Sequence, residues 1–192
     1  VYEVMGHLLR AYFICKWGKI MNIDRTRGVC ISGYGLRKLS LWLNNKALAE
    51  YIKLRNDIQA EINKAVEQGY DTFLCSMARG FELICAHAVL EARQKQSNIQ
   101  LICVLPFKNY SYSDEWGELF RTAKRDANHE IIISEEEYNP TKYNLRNLYM
   151  IENSSYVICS WDGQNDVTAQ IIHLAKKHGH IIHNLHREGC LV

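Results

Sequence analysis

The chain has 192 residues, 47% hydrophobic and 23% charged, with 23 Lys and Arg against 21 Asp and Glu. That length suits one domain with a substantial core. A formal net charge of +2 gives no general pull toward nucleic acid or a membrane surface, and two prolines without a Gly/Ser tract argue against a linker or disordered tail.

Residues 1–20 read as an amino-terminal extension, with Met21 as an alternative start. The apolar stretch from Leu8 to Trp17 is interrupted by Arg10 and Lys16 and is too short to cross a bilayer. It lacks the cleavage pattern of a signal peptide. The domain proper is placed at residues 21–192, in the cytoplasm.

The first strand is predicted over 28–33, where Val29-Cys30-Ile31-Ser32-Gly33-Tyr34-Gly35 passes from an apolar run into a small polar turn. An irregular segment leads through Arg37 to a helix from Lys46 to Gln68. Its Leu48, Ile52, Ile58, Ile62 and Val66 recur at helical spacing, and Gly69 stops it. Strand two (71–75) breaks into Ser76-Met77-Ala78-Arg79-Gly80, followed by a helix from Gly80 to Gln94. Strand three runs from Ile99 to Leu105 and ends at Pro106. A helix over 114–128, a strand over 129–134 and a helix from Pro140 to Asn153 follow. Strand five (155–160) breaks into Trp161-Asp162-Gly163, and a helix over 166–178 precedes strand six at 180–185. This alternation predicts an α/β, doubly wound, mainly parallel, Rossmann-like sheet with helices on both faces. Such sheets bind ligands beyond the carboxyl ends of their strands, which is where the three glycine-bearing turns fall.

Of seven cysteines, Cys30, Cys75, Cys103 and Cys159 sit inside predicted strands, where they serve as small hydrophobes. No pair has metal-ligand spacing, and the cysteine usage fits a reducing compartment. Five histidines fall late in the chain: His173, His178, His180, His183 and His186. His180 and His183 would face opposite sides of a strand, so these residues read as solvated or edge histidines and no metal is assigned.

Ser32-Gly33-Tyr34, the run Ser76 to Glu82, Leu105-Pro106-Phe107, Trp116, Arg146-Asn147-Leu148-Tyr149-Met150-Ile151 and Asp162-Gly163 occur in an order that resembles the YpsA-like family of the SLOG superfamily. The superfamily's Rossmann-like members include DNA-processing protein A and the LOG phosphoribohydrolases. The resemblance spans residues 27–185 and implies a small-molecule nucleotide or nucleotide derivative at the strand carboxyl edge, with no further cofactor. It leaves a homo-oligomer open.

The chain also departs from the pattern. Relatives carry a basic residue directly after the first turn, displaced here to Arg37, and Asp where this chain has Glu82. A Gly-Gly-Thr turn after strand five is replaced by Asp166-Val167-Thr168. Bare glycines let backbone amides approach a phosphate, whereas Asp166 is a good helix cap and a poor neighbour for a second anion.

The expected ligand-binding set is Ser32, Gly33, Tyr34, Arg37, Ser76, Arg79, Gly80, Trp116, Asn147, Asp162, Gly163 and Thr168. Arg79 is the expected anion contact, Trp116 a base-stacking ring, and Asp162 a carboxylate for a ribose diol. Either Arg146 or Asn147 should point into the pocket. The leading reading is a nucleotide-binding module in sensing or signalling. The alternative is a phosphoribohydrolase or N-glycosidase using Glu82 or Asp162, although the LOG-type Pro-Gly-Gly-x-Gly-Thr-x-x-Glu run is absent. Single-stranded nucleic-acid binding is a further alternative, opposed by the dispersal of Lys and Arg.

Overall fold

The computed structural model describes residues 22–33, 45–135 and 138–186. The expected amino-terminal extension and the candidates Tyr34 and Arg37 therefore lie outside the described residues.

A 3₁₀ turn at Arg25–Arg27 leads into β1 (Gly28–Gly33). Then follow α1 (Asn45–Glu67), β2 (Thr72–Cys75), α2 (Phe81–Lys95), β3 (Gln100–Leu105), α3 (Gly117–Asp126), β4 (His129–Ile132), α4 (Thr141–Glu152), β5 (Tyr156–Ser160), α5 (Val167–Lys177) and β6 (Ile181–Asn184). The six strands form one sheet in the order β4-β3-β2-β1-β5-β6. Every pairing is parallel. This is the expected doubly wound α/β architecture.

Residues alternate across the sheet, as a side-chain period of two requires. Val29, Ile31, Phe73, Leu101 and Tyr156 join the core that includes Ile58 and Ile62 of α1 with α2 and α3. Cys30, Leu74, Ile102 and Val157 face Met150 of α4 and Ile171 of α5. Each central strand is thus buried on both faces, which explains continuous apolar runs in place of an alternating pattern.

The chain builds outward from β1 to β4 and then returns to place β5 on the other side of β1. That reversal makes the β1/β5 boundary the topological switch point. Its register sets Gly33 beside Ser160 and Ile31 beside both Cys75 and Ile158, so the ends of β2, β1 and β5 lie next to one another.

Two local readings are corrected. Strand four ends at Ile132 rather than Ser134; the Ile133 N–H still reaches the Leu105 carbonyl, at 2.9 Å. The helix expected from Asp114 starts at Gly117, because the Asp114 carboxylate accepts the Trp116 N–H at 3.1 Å and its carbonyl accepts the Gly117 N–H at 2.8 Å. Asp114 is therefore part of the cap.

His180 is also corrected. It is buried just before β6, with Nε2 3.0 Å from the Ile151 carbonyl and Nδ1 3.2 Å from that of Ala175. Burial lowers its pKa. It ties α4, α5 and the start of β6 together and is not solvated. No described helix is long and apolar enough to cross a membrane.

Candidate functional site

The turn from β2 into α2 is the most constrained piece of backbone at the carboxyl edge. Met77 takes φ 60, a left-handed conformation that a side chain with a Cβ disfavours, and Gly80 takes φ 84. This turn brings the Ala78 N–H and the Ser76 hydroxyl toward the start of α2, where Glu82 sits in the first helical turn. Glu82 Oε2 accepts the Ala78 N–H at 3.0 Å and a short hydrogen bond from Ser76 Oγ. Glu82 Oε1 accepts the Gly33 N–H at 3.3 Å, joining the ends of β1 and β2 through one carboxylate.

Glu82 is only 3% exposed, and burial raises its pKa above the ordinary 4.5. The nearby Arg146 charge and the three donors pull against that shift without cancelling it. A carboxylate held this way occupies the donors that a bound phosphate would have used.

Arg146 projects from α4 toward the same edge. It is 4% exposed, and its Nε and Nη2 donate to Asn147 Oδ1 at 3.2 and 3.0 Å. Its guanidinium also lies 5.3 Å from the centre of the Tyr143 ring. The remaining nitrogen, Nη1, is buried and has no hydrogen-bond partner among the described residues. The Arg146 charge favours the ionised form of Glu82, yet the two make no ion pair with one another. Arginine keeps its charge under all ordinary conditions, so this buried guanidinium nitrogen is a donor left without an acceptor among the described residues.

Aromatic rings flank this pair. Tyr110 contacts Phe107 edge-on at 5.4 Å and Tyr143 at 6.2 Å, and its hydroxyl meets that of Tyr112. Tyr138, 67% exposed, leans edge-on against Phe107 and Tyr143. Of these rings the sequence pattern singled out only Phe107, within Leu105-Pro106-Phe107. The stacking role expected of Trp116 does not fit its placement, because that ring is 2% exposed and belongs to the core under α2 and α3.

Arg79 borders the aromatic cluster through Tyr112. Its side chain is 45% exposed, pairs with Asp114 at 2.6 Å and lies over the Tyr112 ring at 4.2 Å.

Ser32 is buried in β1, on the Cys30 side of the sheet by strand alternation. Asp162 is half-buried and its Oδ1 accepts the Gln164 N–H at 2.8 Å, a local turn. Gly163 takes φ 92 and lines, with Asn147, Leu148, Trp161 and Gln170, a cleft of about 920 Å³ between α4 and α5. Asp166 caps α5 as expected, accepting the Ala169 N–H at 2.8 Å, and Thr168 is buried in the first turn behind it. The structure thus gathers Gly33, Ser76, Gly80 and Glu82 on one side and Asn147 and Gly163 on the other. Arg146 stands next to Asn147 and within electrostatic reach of Glu82.

No group of three potential metal ligands occurs among the described residues. Burial pushes the Cys75 thiol far up, helped by the Glu82 charge, and raises Cys159 to about 12. These thiols are poor nucleophiles.

The model of the YspA SLOG family, the YpsA-like group of the sequence reading, matches residues 29–185. The chain belongs to this family. A UPF0398 protein of Halalkalibacterium halodurans is 27% identical to it over 143 residues, covering 70% of this chain and 71% of that one. A UPF0398 protein of Bacillus thuringiensis (strain Al Hakam) is 25% identical over 157 residues, covering 80% and 84%. The YpsA-like fold is also similar to two solved structures of DNA processing protein A. That from Streptococcus pneumoniae gives a TM-score of 0.55 at 13% identity, over 82% of this chain and 49% of that one. That from Helicobacter pylori, described for its single-stranded DNA binding mode, gives 0.53 at 17% identity, over 83% and 65%.

Proposed function

We propose that this YpsA-like protein binds a small phosphorylated nucleotide derivative at the carboxyl edge of β1, β2 and β5, as a sensor or signalling module in the cytoplasm. One observation carries the reading: Arg146 Nη1 is buried and unpartnered among the described residues. It sits at the topological switch point, beside tyrosine rings that suit a nucleobase. Arg146 replaces Arg79 as the anion contact, because Arg79 is committed to Asp114.

The phosphoribohydrolase alternative is weaker. It needs a carboxylate free to exchange a proton with substrate or water, whereas Glu82 is buried and held in place by three hydrogen bonds and Asp162 Oδ1 holds a local turn. Single-stranded nucleic-acid binding gains support from the fold likeness to the Helicobacter pylori protein. The near-balanced charge of this chain gives it little counterion-release drive.

Calorimetric titration with AMP and adenosine tests the proposal. Wild type should bind AMP more tightly. Arg146→Lys and Arg146→Ala should erase that preference, a loss of about 1.5–3 kcal/mol for a charge-assisted hydrogen bond, whereas Arg79→Ala should keep it. Equal affinity for both ligands in wild type would sink the proposal. Salt-sensitive binding of an oligodeoxynucleotide with no AMP binding would favour the nucleic-acid reading.

A further inference from the structure

We infer that Glu82 is the specificity-determining residue of the carboxyl-edge site. It fills the anion nest between the β1 and β2 turns and restricts the ligand to one anionic group, at Arg146, with an uncharged donor facing Glu82. The inference rests on the reading of Arg146 as the anion contact.

Three donors from two strand ends converge on the Glu82 carboxylate: the Gly33 N–H, the Ala78 N–H and the Ser76 hydroxyl. They stand at the amino terminus of α2, a helix of 15 residues. Such a set of inward donors binds phosphate when nothing else satisfies it. Here the chain supplies its own anion.

The remaining capacity is specific. Oε2 takes two hydrogen bonds and Oε1 takes one, so Oε1 can accept one more. Arg146 Nη1 offers one donor without a partner among the described residues. A ligand bridging the two therefore presents an anion to Arg146 and a hydroxyl or amine to Oε1. A phosphomonoester with a nearby hydroxyl meets both demands. A second phosphate would be pressed against the Glu82 carboxylate, where two buried anions repel strongly.

The test compares AMP, ADP and inorganic phosphate on the full chain in wild type, Glu82→Gln and Glu82→Ala, with thermal melting to confirm folding. Glu82→Gln keeps an oxygen acceptor for the nest and removes the charge. Wild type should prefer AMP to ADP, and Glu82→Gln should narrow that ratio at least tenfold. Glu82→Ala should bind inorganic phosphate at least tenfold more tightly than wild type. An AMP-to-ADP ratio unchanged in both variants overturns the inference. If wild type binds neither nucleotide, phosphate decides: binding gained by Glu82→Ala supports the inference, and none gained overturns it. Failure of the Arg146 reading shows separately, as an Arg146→Lys variant that retains AMP preference while the Glu82 effect persists.

Discussion

Gly33 and Phe81 meet so closely that a Cβ on Gly33 would lie 2.4 Å from Phe81 Cδ1. The end of β1 and the first residue of α2 are therefore packed backbone to ring, and the Phe81 ring is fully buried. The same contact sets the Gly33 N–H against Glu82. Gly33→Ala should force the ring or the helix start to shift, lowering stability by about 1–3 kcal/mol as overpacking does. Urea denaturation would measure this; an unchanged midpoint would show that α2 moves freely against β1.

Glu82 also predicts a pH dependence. Its folded-state pKa is raised, chiefly by burial, above the ordinary 4.5. The folded protein thus holds that proton more tightly than the unfolded chain does. The stabilisation is fully present below pH 4.5 and is lost as pH rises through the folded value. Wild type should accordingly lose stability relative to Glu82→Gln as pH increases across that window. Parallel denaturation series from pH 4 upward check this, and a constant difference between the two proteins would contradict it.

Much of this architecture was legible in the amino-acid sequence, for a definable reason. Four short apolar runs, each followed by a turn, required strands buried on both faces, and the helices between them carried their own period and stops. Gly69 follows α1 with φ 95, in the role read from the sequence, and Gly179 follows α5 with φ 70.

The site was less legible because its decisive contacts join residues far apart in the chain or side chains whose direction the sequence leaves open. Arg79 meets Asp114 across 35 positions, and no local pattern announces that pair. Consecutive helical residues point about 100° apart, so Arg146 and Asn147 read as alternatives. In the fold both are buried, because the guanidinium turns onto its neighbour's amide oxygen. Glu82 read as a catalytic candidate, yet it reaches back to Ala78 and across to Gly33.

A second buried carboxylate ties α1 to the opposite part of the sheet. Tyr156, fully buried at the start of β5, donates its hydroxyl to Glu61 Oε1. The same oxygen lies 3.2 Å from His183 Nδ1 and 3.7 Å from Lys64 Nζ, and the His183 ring stacks on Tyr156 at 4.9 Å. Tyr156→Phe keeps the ring packing and removes the donor. It should cost about 1.5–3 kcal/mol, the range for a hydrogen bond to a charged group, without changing ligand affinity at the carboxyl edge. Thermal melting paired with AMP titration separates the two effects. A variant as stable as wild type would mean that His183 and Lys64 satisfy Glu61 unaided.

The turn after β5 offers the sharpest contrast with the family pattern. Asp166 stands where the family resemblance led one to expect glycine, and its side chain accepts the Ala169 N–H at 2.8 Å as the cap of α5. Removing that acceptor exposes an unsatisfied amide at a helix start, so Asp166→Ala should lower stability by about 1 kcal/mol. Asp166→Gly should cost only a few tenths, because glycine tolerates the cap conformation and admits water to the free amides. The glycine variant also removes a negative charge from a helix amino terminus, a position that favours anions. It should therefore bind inorganic phosphate at least as well as wild type. Chemical denaturation and phosphate titration of both variants test this pairing. Weaker phosphate binding in Asp166→Gly than in wild type would show that the carboxylate does not oppose an anion at this turn.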